Sequence, residues 1–517
     1  MPLHSAFDPD LPADNALWDV LVVGGGLNGC GIARDLAGRG WRVLLAEAGD
    51  LGAQSSCATS KLIHGGLLEL NQSPLREIRK ALREGELLLH SAPHIVWPLR
   101  FVLPLEPTSP PAWRLRLDLL LHDHLAPGNA LPRHERLALR GHVAKQPLPA
   151  ALQNAFAYSD VWADDARLVL LNALDARNKG ARVLPHTRVQ AARPCTDGAT
   201  PCWAVSLDTA QGPLRQRARV LVNATGAWAH QFSNHVLGHT RAAPRLVRSS
   251  HIVVPRIHEH EHAYLWPAGQ GQALFALPYE HRYTLIGSTQ VEVGAAALEH
   301  PTAASAEDVD TLCREASRHL HQCLTPSDVV WHFAALRPMP VELGGSAQNG
   351  QLELSRSGPA LLQVWGGRLC TYRHLAEKAA NLLGPVLGES RLAWTTHAHL
   401  PGGDFSAWVN PALASSDPQQ AFEQLVRALN QRYPFMDGDS MRRLARRYGS
   451  RVPMVLGLAE TLSDLGSAVA PGLYERELHY LRDEEWARSA DDVLWRRTKL
   501  GLRYNAQQRH NVQRWFA

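Results

Sequence analysis

Cysteine is scarce and scattered in this chain: seven in 517 residues, with no C-x-x-C pair. That pattern excludes a zinc ribbon and a disulfide framework, and it fits a reducing compartment. Long apolar runs are missing too. No stretch of about 18 apolar residues occurs, so no helix is expected to span a membrane. The N-terminus lacks the basic start and apolar stretch of a secretory signal. Lysine and arginine number 53 against 49 aspartates and glutamates, a formal net charge of +4, which is too small for a general affinity for nucleic acid. Internal repeats and low-complexity tracts are absent. What is present is ordinary for a globular protein, with 45% hydrophobic and 20% charged residues. The length exceeds what one core can serve, so two or three domains are expected.

The strongest signal runs from Asp19 to Gly66. Val20-Leu21-Val22-Val23 reads as a buried parallel strand. Gly24-Gly25-Gly26-Leu27-Asn28-Gly29 follows at once, and Gly31 to Ala37 reads as a helix. A second apolar run, Trp41 to Ala46, ends in Glu47. This is a βαβ unit with G-x-G-x-x-G at its first turn and an acid about 20 residues on, the pattern of a dinucleotide site. Gly24 allows the tight turn, Gly26 lets backbone approach a pyrophosphate, and Gly29 lets helix and strand pack closely. The helix N-terminus suits the phosphates, and Glu47 suits ribose hydroxyls that carry no 2′-phosphate. A nicotinamide domain would pass from Glu47 straight to its next helix. Here Ser55 to Gly66 offers hydroxyls and backbone instead. Val220 to Asn223 is a further apolar strand, and the small residues Ala224-Thr225-Gly226 at its end let it lie against a bound cofactor, which makes the nucleotide domain discontinuous.

The glycine turn together with S-S-x-x-x-S-K-L-I-H-G-G-L (Ser55 to Leu67) resembles the FAD-dependent, respiratory glycerol-3-phosphate dehydrogenases, flavoproteins of the glycine-oxidase-like group. The likeness continues through Ser250–Pro255, Thr284–Gln290, Ala335–Pro338 and Val364–Arg373, and covers about residues 18 to 517. It implies an α/β fold with an FAD-binding Rossmann-like domain, an α+β substrate domain and a C-terminal helical domain. The corresponding division is 15–92 (FAD, first part), 93–149 (substrate and membrane side), 150–235 (FAD, second part), 236–350 (substrate), 351–390 (FAD, return) and 400–517 (helical). The resemblance implies FAD as cofactor, no metal, and sn-glycerol 3-phosphate oxidised to dihydroxyacetone phosphate, with a quinone as electron acceptor. It also implies a cytoplasmic protein held peripherally at the inner face of the cytoplasmic membrane. It admits a homodimer and gives nucleic acid no role.

Oxidation of a secondary alcohol by a flavin needs a base for the hydroxyl proton. His64 and His251 fall in matched segments and are the candidate bases, each equally open to reading as a structural histidine. A phosphate needs fixed cations. Arg337 fits that role, as substrate-binding and catalytic residue, alongside His251 and Arg368, which stands where the family has lysine. The residues implied to hold FAD are Gly24, Gly26, Asn28, Gly29, Glu47, Ser55, Ser56, Ser60, Lys61, His64, Gly65, Val189, Ala224, Thr225, Gly226, Gly367, Leu369 and Thr371.

Two departures bear on the substrate. After H-G-G-L the family has Arg-Tyr, whereas this chain has Leu68-Glu69; and Gln290 stands where the family has aspartate. They keep open a divergent relative that oxidises another alcohol or an amine. A non-catalytic flavin-binding or nucleic-acid-binding scaffold has only the Arg442–Arg447 run behind it, which reads as a solvated helix face. Elsewhere the sequence predicts helices over about Pro74 to His90 and Trp113 to Leu125, and a helix after Trp162 capped by Asp164 or Asp165. It predicts strands over Val183 to Val189 and Ala204 to Leu207. Trp113 to Leu125 reads either as a core helix or as one lying at a membrane interface.

Overall fold

Val20–Val23 has no polar residue to leave on a wet face, and the strand that contains it, Leu17–Val23, is central in the first sheet. It runs parallel to Gly212–Asn223 on one side and Val43–Ala46 on the other. This is a computed structural model, and it describes residues 17–64, 67, 74–107, 109–125, 131–238, 243–267, 273–339, 350–409 and 417–517. Ala360–Trp365 extends the parallel set beyond Gly212–Asn223, and Arg182–Leu184 extends it beyond Val43–Ala46. Strands buried on both faces need a cover on each side. Leu27–Gly38, Asp165–Asn178 and Tyr372–Leu387 pack on the face of Val20 and Val22, and the antiparallel strands Arg188–Asp197 and Thr200–Thr209 cover the face of Leu21 and Val23. The mixed α/β reading of the sequence holds.

Local details differ from the sequence reading for physical reasons. The first helix begins at Leu27, inside the glycine turn, rather than at Gly31. The Ser56 hydroxyl accepts from the Leu27 N–H at 3.0 Å, and the Gly26 carbonyl accepts from Cys30 at 2.9 Å. The run Val183–Val189 is two strands, not one. Pro185 has no N–H to give, and His186 takes a left-handed φ of 53°. The chain then restarts as Arg188–Asp197 and pairs antiparallel with Thr200–Thr209. Asp164 is the N-cap of Asp165–Asn178.

A second sheet of ten strands is organised around Arg245–Pro255, Asn154–Ala163 and Val96–Pro104. Its two faces bury separate apolar clusters, one containing Ile252, Tyr264 and Trp266, the other Phe101, Val253 and Phe275. From Phe405 to Val512 a third core is built mainly from helices, including Pro418–Arg432, Gly438–Tyr448 and Glu475–Asp483.

The Arg442–Arg447 run is not a solvated face. Arg443 forks onto Glu477 with both contacts at 2.7 Å, and Arg446 lies over the rings of Phe422 and Trp97. Arg447 pairs with Asp164 and with Glu280, the latter at 2.6 Å. These cations are spent on internal carboxylates and aromatic faces, so the basic run offers no groove for nucleic acid. Two further buried pairs seat the helical region on the first sheet: Arg167 with Glu485, and Arg497 with Asp50 at 2.7 Å.

Candidate active site

The first glycine turn is shaped by contacts that leave no room for side chains. Gly24 has φ +109°, and a Cβ there would meet the Ala224 carbonyl at 2.5 Å; at Gly29 one would stand 1.9 Å from the Gly24 carbonyl oxygen. Ala224-Thr225-Gly226 therefore lies directly against the turn. Glu47 accepts from the N–H of Gly25 at 2.6 Å and of Gly49 at 2.7 Å, so its carboxylate is fixed beside the turn. Burial pushes its pKa above the ordinary carboxylate value, against the pull of those two donors. Asn28 donates to the Gly366 carbonyl at 2.9 Å, bringing the Gly366-Gly367 turn to the start of the helix.

These elements surround a cavity of about 1160 Å³. Of the sequence candidates, Gly24, Gly26, Asn28, Glu47, Ser55, Ser56, Ser60, His64, Val189, Ala224, Thr225, Gly226, Gly367 and Leu369 line it, together with His251, Arg337 and Arg368. Gly29, Lys61 and Thr371 sit behind the wall. Gly29 acts by packing, while the Lys61 ammonium pairs with Asp165 at 2.8 Å, buried beneath the site. Ser55 uses its hydroxyl on the backbone of Leu336, donating to the carbonyl at 2.7 Å and accepting from the N–H at 3.2 Å. It thereby fixes the strand that carries Arg337. Gly65, Leu68 and Glu69 lie outside the described residues.

His251 is 2% exposed, and neither ring nitrogen has a partner. Phe333 stacks on the ring at 5.0 Å between centroids, and Phe275 approaches at 5.8 Å. Gly287 is its direct neighbour across the sheet, where a Cβ would stand 2.3 Å from the ring. Burial first, and the Lys61 charge second, lower its pKa to about 3. The imidazole is neutral at pH 7 with no protein partner for either ring nitrogen, so it can accept a hydrogen bond from, or donate one to, what occupies the cavity. Arg337 comes from Trp331–Met339, paired with the strand that carries His251; Arg368 caps the short helix Leu369–Thr371.

Sequence reasoning missed several wall residues, among them Thr187, Arg188, Asp160 and Trp228. Asp160 left a readable trace, being the one carboxylate inside the otherwise mostly apolar strand Asn154–Ala163. Arg188 left none. It reaches the cavity because the Thr187 N–H donates to the Glu47 carbonyl at 2.6 Å and that of His186 to Gly49 at 2.9 Å, a return that cannot be read locally. Among the described residues, Asp50, His186 and Asp492 approach each other closely enough to suggest a metal site. Asp50 is already held by Arg496 and Arg497, and Asp492 accepts from the N–H groups of Arg488 and Ser489. The trio is an ion-pair junction between the helical region and the first sheet.

A model of the FAD dependent oxidoreductase family matches residues 19–373, and one of the C-terminal domain of alpha-glycerophosphate oxidase matches residues 393–516. A glycerol-3-phosphate dehydrogenase of Pseudomonas aeruginosa is 41% identical over 97% of this chain and 95% of its own. The chain belongs to the FAD-dependent glycerol-3-phosphate dehydrogenase family. FAD is the cofactor, and the glycine turn, Glu47 and the Ala224–Gly226 strand end fit it. A D-erythritol 1-phosphate dehydrogenase of Brucella abortus is 37% identical over 96% of this chain and 97% of its own. The solved glycerol-3-phosphate dehydrogenase from Bacillus halodurans, complexed with FAD, superposes with a TM-score of 0.75 at 24% identity. That structure covers 98% of this chain and 91% of its own, and it supports the fold.

Proposed function

We propose that the protein oxidises the secondary alcohol of sn-glycerol 3-phosphate to the ketone of dihydroxyacetone phosphate. The observation that carries this reading is a buried, neutral, unpartnered His251 facing the same cavity as two arginines. Arg337 and Arg368 bind the phosphate, which carries nearly two negative charges at pH 7, and guanidinium forks suit its oxygens. They orient the carbinol toward His251, whose ring nitrogen accepts the hydroxyl's hydrogen bond and takes its proton once the charge of the bound phosphate offsets the low pKa that burial imposes. His64, on the same wall, is the other candidate for that proton. FAD, when bound, supplies the hydride acceptor. Lys61 and Asp165 stay behind the wall and hold the backbone between Thr59 and His64 in place; the Thr59 N–H and hydroxyl both donate to Asp165, at 3.0 and 2.8 Å.

We further propose a membrane quinone as electron acceptor and peripheral attachment through the helix Ala112–Leu125. Its Leu115, Leu119 and His122 are buried, while Trp113 is 70% and Leu117 57% exposed beside the exposed Arg114 and Arg116. One face is core and the opposite face is apolar with flanking cations, which suits a lipid interface. Among the described residues no helix is long and apolar enough to cross a membrane. Flotation with anionic vesicles tests the attachment: wild type should float, and the Arg114→Glu/Arg116→Glu variant should float less.

A longer phosphorylated polyol is the second reading. It is favoured by Gln290, an amide on the cavity wall where the family has a carboxylate. Anaerobic titration of the yellow protein with glycerol 3-phosphate, D-erythritol 1-phosphate and glycerol separates the readings by which compound bleaches the flavin at the lowest concentration. Bleaching by an amine or an uncharged alcohol alone removes both.

A further inference from the structure

The cysteine count argued against disulfides, yet the fold brings two cysteines together. Arg188–Asp197 and Thr200–Thr209 form a hairpin closed by Gly198-Ala199, and Cys195 lies directly opposite Cys202 in its register. Their sulfurs are 2.7 Å apart, inside ordinary van der Waals contact for atoms of this size. Cys202 is fully buried and Cys195 is half-buried. The pair sits two residues from the ion pair of Asp197 with Arg217, at 2.9 Å. Burial and the neighbouring Cys195 push the Cys202 thiol up to about 12, so Cys202 stays protonated at pH 7, and Cys195 is the more exposed of the two sulfurs.

We propose that Cys195 and Cys202 form an oxidisable dithiol that a peroxide closes into a cross-strand disulfide. The Cys195 sulfur attacks one oxygen of hydrogen peroxide; the O–O bond breaks, a sulfenic acid forms, and the departing hydroxide takes up the thiol's proton to leave as the first water. Cys202 sulfur then attacks that sulfenic sulfur; the S–S bond forms, the S–O bond breaks, and a second water carries away the remaining thiol proton. Each sulfur gives up one electron, and the two peroxide oxygens take up both. A dithiol reductant reverses the step by exchange. The register already sets the two cysteines side by side, so the wide separation that usually prevents such a bridge is absent. The same strand begins with Arg188 and Val189 on the cavity wall, so the bridge pins a hairpin that contributes to the cofactor site.

The test uses the whole reduced protein, desalted and exposed to rising hydrogen peroxide, then alkylated in denaturant and digested with trypsin. One tryptic peptide, residues 189–215, holds both cysteines because Arg193 precedes a proline. Expected is a form of this peptide lighter by two hydrogens and free of alkyl groups, appearing at peroxide doses below those that oxidise the exposed Cys323, and reverting with dithiothreitol. In a Cys195→Ser variant the Cys202 thiol should remain alkylatable at the same doses. The inference is overturned if both thiols in the wild type stay alkylatable once Cys323 is oxidised. It is equally overturned if they go singly to sulfinic or sulfonic acids without a bridge.

Discussion

The two ends of the cavity are built by different means. At the nucleotide end the contacts come from backbone: a glycine turn, a helix start and the small residues of a strand end, drawn tight enough that a Cβ at Gly29 would stand 1.9 Å from a carbonyl oxygen. At the end proposed to take the substrate, the cavity is lined by side chains on separate segments: His64, His251, Arg337 and Arg368. Backbone sites tolerate almost no change, because nothing flexible is present to yield. Side-chain sites can be retuned one residue at a time, which is how one fold serves different substrates.

The largest effect should follow from striking the first end. Gly29→Val places two methyl groups where not even a Cβ fits, and the variant should purify colourless or fail to fold, with absorbance at the flavin bands as the measure. Retention of stoichiometric FAD by a folded Gly29→Val protein would break the contrast. A strike at the second end should spare the flavin. His251→Asn should stay yellow and lose on the order of 10²- to 10⁴-fold in kcat, the usual contribution of a positioned base; a loss of FAD instead would assign His251 to the cofactor.

How much was legible in the sequence follows the same division. Gly24, Gly26, Gly29, Glu47 and Ala224–Gly226 could be read directly, since a turn with no room for side chains must be written in adjacent residues. The break at Pro185-His186 was missed because Val183-Leu184 before it and Val189 after it look like parts of one β-type run. The fate of Arg443 and Arg447 depends on Glu477, Glu280 and Asp164, which are distant in sequence, so the run looked solvated when it is interior. Cys195 and Cys202 were invisible for a related reason, since their approach depends on hairpin register.

A smaller effect concerns pH. Burial lowers the pKa of His251 to about 3, and of His258 and His374 to about 4. An unfolded histidine takes up its proton near 6.5. Between about pH 6.5 and pH 4 the unfolded chain therefore binds more protons than the folded one, and stability must fall as pH falls through that window. Melting temperature should be lower at pH 5 than at pH 7, and His374→Gln should reduce the difference. A melting temperature that does not change over that range would contradict the buried, neutral state of these rings.

The smallest change sharpens the substrate end. Leu68→Arg/Glu69→Tyr restores the two residues the family carries after H-G-G-L, and should lower KM for glycerol 3-phosphate without altering the flavin spectrum. An unchanged KM would place those positions away from the phosphate.

The central claim is that phosphate recognition and flavin binding are separable within one cavity, and that Arg337 belongs to the former. The direct measurement is the anaerobic flavin-reduction rate with glycerol 3-phosphate and with glycerol, in wild type and Arg337→Ala, at equal FAD content. Removing one partner of a buried charge pair typically costs about 2–5 kcal/mol, on the order of 30- to several-thousand-fold. The wild type should prefer the phosphorylated substrate strongly, and Arg337→Ala should lose that preference by such a factor while remaining fully yellow. A variant that keeps both its FAD and the wild-type preference would contradict the assignment.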